Sequence, residues 1–211
     1  MQKILFVGDS ITDEGRTKSG LTHFDTNVGK GYVLFINAEL GKNFPNEYTV
    51  LNRGIDGNRS IDLYARIKRD IINLKPDVLS ILIGVNDVWH ELNEQNGLSA
   101  SKYYNIYSML IEEVKEVLPD IQIVILESFV LKGRETEEQW DAFQNGVRQI
   151  AQKAKEIAEK YDLPFITLQD KFDKALELAP AEYWLRDGVH PTAAGHMLIK
   201  DAWMEYFWEM K

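Results

Sequence analysis

Five short apolar runs, separated by segments of helical period, limit what this chain can fold into more than any other feature. They are Lys3–Val7, Tyr48–Asn52, Val78–Ile83, Ile121–Leu126 and a shorter Pro164–Thr167, each rich in Ile, Val or Leu and flanked by turn residues. Runs of this kind, with little in–out alternation, fit strands buried on both faces. Between them, Leu63, Ile67, Ile71 and Leu74 recur every three or four residues, as do Ile106, Leu110, Val114 and Val117. The longest such stripe runs from Trp140 through Phe143, Val147, Ile150, Ala154 and Ala158 to Tyr161. A last helix, starting at about Thr192, carries Ile199, Ala202, Trp203, Tyr206 and Phe207. The alternation predicts an α/β fold, a three-layer αβα sandwich around a parallel sheet of about five strands. In such sheets ligands bind at the carboxyl ends of the strands, near the switch point, so chemical residues are expected just after strands. No stretch resembles a linker, and a single domain over residues 1–211 is expected.

The composition narrows the partners. A net charge of -9, with no segment concentrating Lys and Arg, repels polyanions and anionic membrane surfaces and favours a neutral substrate such as a sugar ester. Nucleic acid and membrane are therefore not expected as partners. There is no cysteine, so chemistry must come from oxygen and nitrogen groups, without disulfides or thiolates. The apolar run Ile4–Val7 is far shorter than the core of a secretory signal, and nothing approaches the ~20 apolar residues that span a bilayer. The expectation is a cytoplasmic protein.

Four loops carry candidate chemistry. The first strand runs into Gly8-Asp9-Ser10-Ile11-Thr12, which puts Ser10 on the turn where a nucleophile must be exposed. An isolated Gly-Asp-Ser is also a common cap or turn, and Thr12 stands where the nucleophile elbow of α/β-hydrolases has glycine. Near the other end, Asp187 and His190 lie three residues apart in Asp187-Gly188-Val189-His190-Pro191-Thr192, close enough for the carboxylate to orient the imidazole. His23, His90 and His196 have no such companion and are assigned to surface or core. Donors for an oxyanion are offered by Gly57 in the loop after the second strand and by Asn86 in Gly84-Val85-Asn86-Asp87-Val88-Trp89 after the third. Gly54 is a rival for the glycine position.

These blocks, in this order over residues 8 to 190, resemble the SGNH or GDSL hydrolases, named for their Ser, Gly, Asn and His. The extended runs Val7–Asp13, Gly84–Trp89 and Val189–His196 are most similar to bacterial acetylxylan and related carbohydrate acetylesterases. The resemblance implies a flavodoxin-like αβα fold and a serine esterase that needs neither cofactor nor metal. It makes Ser10 the nucleophile, His190 the base and Asp187 its orienting partner. The Ser10 N–H, Gly57 and Asn86 form the oxyanion hole. Asp9, Trp89 and Trp184 are candidates for contact with an acylated substrate, expected to be an acetylated saccharide. Members similar to this chain tend to form homo-oligomers, for which the aromatic last helix offers a surface unless Trp203, Tyr206 and Phe207 are buried. A thioesterase or lysophospholipase with the same catalytic blocks, or a silent sugar-binding module, is the alternative.

Overall fold

The computed structural model describes residues 1–18 and 27–210. Strands β1 (Gln2–Gly8), β2 (Tyr48–Asn52), β3 (Val78–Leu82), β4 (Gln122–Leu126) and β5 (Phe165–Ile166) form one sheet in the order β2-β1-β3-β4-β5. Every pairing is parallel, with Leu5 opposite Leu51 on one side and Leu79 on the other. This is the flavodoxin-like order, whose direction of winding reverses between β1 and β3. The five apolar runs are the five strands, within a residue or two at each end.

The helices are α1 (Ser10–Asp13), α2 (Tyr32–Asn43), α3 (Ser60–Ala65), α4 (Ile67–Asp70), α5 (Val85–Glu94) and α6 (Ala100–Val117). They continue with α7 (Trp140–Tyr161), α8 (Gln169–Ala175), α9 (Ala181–Trp184) and α10 (Ala193–Glu209). α10 packs on α2 and α8, whereas α7 packs on α5 and α6, and α6 on α3. The central strand shows why both layers are needed: Ile4, Leu5, Phe6 and Val7 are all buried although they point alternately to opposite faces. Phe6 meets Tyr32 of α2 and Trp203 of α10 at ring separations of 5.8 and 5.3 Å.

Two expectations change. The stripe Leu63–Leu74 is not one helix: it divides into α3, α4 and a 3₁₀ turn over Ile72–Leu74, with the break at Arg66. The guanidinium of Arg66 is buried and donates to the Gly8, Arg53, Asn58 and Asp70 oxygens, and it draws the backbone out of helical geometry while Leu63, Ile67 and Ile71 stay in the core. The aromatic face of the last helix is open only in part: Tyr206 is half-buried and Trp208 exposed. Trp203 and Phe207 are buried, stacked at 5.6 Å, and the Trp203 indole N–H donates to Ser80 Oγ. α10 itself starts after Thr192, which caps it by accepting from the Gly195 N–H. No helix among the described residues is long and apolar enough to cross a membrane.

Candidate active site

β1 ends at Gly8, where even a methyl group would meet the Leu82 carbonyl of β3 and the Thr12 side chain, so only glycine lets the chain turn there. Ser10 follows as the first residue of α1. Asp9 caps that short helix: its carboxylate accepts from the Ile11 N–H at 3.0 Å. It is 1% exposed, and burial pushes it up to about 7. Asp9 therefore does not face substrate, contrary to the sequence expectation. Its short side chain is used locally, within the turn.

His190 Nε2 lies 3.0 Å from Ser10 Oγ, although 180 residues separate them. The other ring nitrogen, Nδ1, is 2.7 Å from Asp187 Oδ2, and Asp187 Oδ1 accepts from the backbone N–H groups of Val189 and His190. Burial alone would raise the Asp187 carboxyl. The hydrogen bonds from the His190 ring and the two amides outweigh it and hold the group at about 2. The same pairing raises His190 above the ordinary histidine value, against the opposing effect of burial. Gly188, at φ +102° and tight against Thr136 and the Leu131 carbonyl, allows the loop to double back.

The two loops are also tied beside the reacting groups. Arg186 Nη2 is 2.8 Å from both carboxylate oxygens of Glu14, four residues after Ser10. Glu14 in turn lies 3.6 Å from Nε2 of the buried His196, whose Nδ1 accepts from the Tyr32 N–H. Burial opposes ionisation of Glu14, but its contacts with His196 and Arg186 hold it at about 2. His196 thus belongs to the core. His23 lies outside the described residues.

Gly57 has φ +74° and open space where a side chain would stand, and it borders the cleft beside Ser10. Gly54 is buried against the Asp13 backbone instead. Asn86, in the first turn of α5, donates one amide hydrogen to the Asn58 carbonyl at 3.1 Å, which leaves a second for the cleft. Its neighbour Asp87 fixes the intervening loop by accepting from the Ser60 N–H and hydroxyl. Asp87 is fully buried, and that burial raises it to about 7 despite those hydrogen bonds.

The cleft has two lobes that meet at Ser10, Asp56 and His190. The smaller, about 240 Å³, is walled by Gly57 and by Asn86, Trp89, His90, Asn93 and Glu94 of α5. The larger, about 530 Å³, is walled by Asp13, Glu14, Gly15, Lys18, Arg186 and Asp187. Among the described residues, neither wall includes a Val, Leu, Ile, Met or Phe. A hollow of about 570 Å³ over α3 and α4 is roomier, but its lining of Tyr64, Arg66, Lys68 and Glu113 brings no nucleophile beside a base. No group of three or more His, Asp or Glu among the described residues converges as a metal site.

Trp89 borders the small lobe, its ring 5.7 Å from that of His190 and packed edge-on against Phe143. Trp184 borders neither lobe. Its indole N–H donates to the Ala179 carbonyl and its ring packs against Tyr183, so it stands apart from the walls beside Ser10 where it was expected. His90, assigned to surface or core, stands on the small-lobe wall with Asn93 and Glu94. The available signal was helical spacing: positions 89, 90, 93 and 94 share a face with Asn86 once residues 85–94 are read as a helix rather than a turn.

Known proteins resemble the chain over nearly its whole length. Residues 6–198 match the GDSL-like Lipase/Acylhydrolase family. An acetylxylan esterase of Geobacillus stearothermophilus is 35% identical over 211 residues, covering 96% of this chain and 92% of that protein. A crystal structure of a GDSL-like lipase from Parabacteroides merdae superposes with a TM-score of 0.91 at 39% identity, covering 97% of this chain and 94% of that one. Axe2, an acetylxylan esterase from G. stearothermophilus, superposes with a TM-score of 0.85 at 32% identity, covering 97% and 93%. Axe2 variants with a serine or an aspartate replaced by alanine are catalytic mutants of that enzyme. The present chain belongs to the GDSL-like lipase/acylhydrolase family and is a carboxylic ester hydrolase.

Proposed function

We propose that the protein removes short acyl groups, acetyl above all, from carbohydrate esters through Ser10, His190 and Asp187. The observation that carries this reading is the Ser10–His190–Asp187 relay, 3.0 and 2.7 Å, at the junction of two lobes whose described walls hold no aliphatic side chain. A long acyl chain would find no aliphatic partner there beyond the ring of Trp89 and would strip water from ion pairs. A small acyl group on a hydroxylated alcohol loses little. The names of the acetylxylan esterase relatives support the same substrate class.

In the first step His190 Nε2 takes the Ser10 hydroxyl proton as Oγ bonds to the ester carbonyl carbon. Negative charge moves to the carbonyl oxygen, where the Ser10 N–H, the Gly57 N–H and the Asn86 amide donate to it. Collapse of this intermediate breaks the bond to the sugar oxygen, which receives the proton from His190 and departs. Water then loses a proton to His190 and attacks the acyl-enzyme, and the carboxylic acid leaves as Ser10 regains its proton. Asp187 keeps Nδ1 protonated throughout, so that Nε2 faces the serine.

Acetate release from acetylated xylo-oligosaccharides, measured beside acyl-CoA and lysophospholipid hydrolysis, tests the reading. Acetate from the saccharides, with p-nitrophenyl ester turnover falling beyond propionyl, is expected. Turnover that rises with chain length would replace it with the thioesterase or lysophospholipase alternative.

A further inference from the structure

The two lobes that meet at Ser10 differ in one chemical respect. In the larger lobe the cations are already paired, Lys18 with Asp13 at 2.7 Å and Arg186 with both oxygens of Glu14, and the carboxylate of Asp56 is common to both lobes. In the smaller lobe the imidazole of His90, the amide of Asn93 and the carboxylate of Glu94 border the cleft, and none makes a side-chain hydrogen bond among the described residues. Solvated polar groups on a rigid element, beside a nucleophile, are suited to recognising something polar.

Their placement sets the register. Asn86 and these residues share one face of α5, and the helix rises about 1.5 Å per residue, so Asn93 and Glu94 lie roughly 10 Å along the axis from Asn86. A substrate whose carbonyl oxygen is held at Asn86 would place its next ring along this wall. The ring of Trp89 flanks the same space and offers an aromatic surface between Asn86 and the polar trio. An aromatic surface together with an imidazole, an amide and a carboxylate matches a pyranose, which has weakly polar C–H faces and a rim of hydroxyls. A lobe of about 240 Å³ admits one such ring.

We propose that the α5 wall is the subsite for the ester-bearing sugar ring, with Asn93 and Glu94 as specificity-determining residues that bind its free hydroxyls. The acyl group then points toward the larger lobe, where the paired charges disfavour long alkyl chains. The proposal rests on the carbohydrate esterase reading above, but it can fail independently of it.

The test compares two substrates of the same enzyme: a mono-O-acetylated methyl β-xylopyranoside, which carries free hydroxyls, and p-nitrophenyl acetate, which has none. For Glu94→Ala the ratio of kcat/KM on the xyloside to that on p-nitrophenyl acetate is expected to fall about tenfold, mainly through KM. Asn93→Ala is expected to lower it about fivefold, whereas Glu94→Gln, which keeps an acceptor oxygen, restores most of the ratio. Equal losses on both substrates would mean that these residues serve only the fold and would overturn the proposal. So would an unchanged ratio, or a larger selective loss in Lys18→Ala, which would move the sugar to the other lobe. If the wild type hydrolyses p-nitrophenyl acetate but not the xyloside, the carbohydrate reading fails and this subsite with it. Activity on both substrates with no selective loss in the variants sinks the subsite alone.

Discussion

The turn that holds Ser10 and the loop that holds His190 each carry a buried aspartate, and the two are held in opposite states. Asp187 receives three hydrogen bonds, one from the His190 ring and two from backbone amides, and is held ionised at about 2. Asp9 accepts from the Ile11 N–H, and burial pushes it up to about 7. Depth of burial and the paired imidazole decide: Asp187 borders the cleft and holds His190, whereas Asp9, like Asp87 with its bonds from Ser60, lies where desolvation outweighs the hydrogen bonds. An aspartate that must orient an imidazole is surrounded by donors, while one that only caps a turn is left to burial. Sequence alone shows two aspartates near two reactive residues and does not distinguish them.

The largest effect that can break this contrast comes from Asp187→Asn. An amide in that place holds the imidazole in the wrong tautomer, and kcat on p-nitrophenyl acetate should drop on the order of 10⁴-fold without loss of the folded circular dichroism spectrum. A drop of less than tenfold would mean that Asp187 does not orient His190. Next in size is Asn86→Ala, which removes one proposed oxyanion donor and should lower kcat on the order of 100-fold with little change in KM. A change confined to KM would assign Asn86 to substrate binding instead.

The pH dependence sharpens the contrast further. His190 is raised by Asp187 and, as the proposed base, accepts a proton only when neutral, so kcat/KM should fall as pH decreases through a midpoint above the ordinary histidine value. A midpoint at or below 6.5 would contradict the pairing. The smallest effect belongs to Asp9. Its folded value of about 7 exceeds its unfolded value of about 3.8, so the folded chain keeps a proton that the unfolded chain has lost. That contribution is complete below the unfolded value and disappears as pH rises through about 7. Asp9→Asn removes the ionisation, and its Tm should exceed that of the wild type by about 3 °C at pH 8.5, with the gap closing toward pH 4. A gap that widens on acidification would mean that Asp9 is ionised in the fold.

The sheet was legible in the sequence because parallel strands buried on both faces must be continuous apolar runs, and few other elements of four to six residues look like that. Helix continuity was less so. Leu63, Ile67 and Ile71 keep helical spacing through a real break, because the cause of that break, the contacts of Arg66 with Gly8 and Arg53, is set by distant backbone carbonyls. The meeting of Ser10, His190 and Asp187 was legible because each lies in a short loop whose residue types suit the proposed chemistry. The walls of the cleft were not. His90, Asn93 and Glu94 approach Ser10 only because β3 pairs with β1 and α5 leaves its carboxyl end, a neighbour relation that no local pattern contains. Trp184 followed the opposite course: it is near Asp187 in sequence, but its indole is turned to Ala179.

The central claim is that the Ser10 hydroxyl is made reactive by His190. Intact-mass measurement after incubation with a p-nitrophenyl alkylphosphonate tests it most directly, since only an activated serine displaces the nitrophenol. One adduct per chain, mapped to Ser10 and lost in both Ser10→Ala and His190→Ala, is the predicted result. An unlabelled wild type, or an adduct that persists in Ser10→Ala, would contradict it.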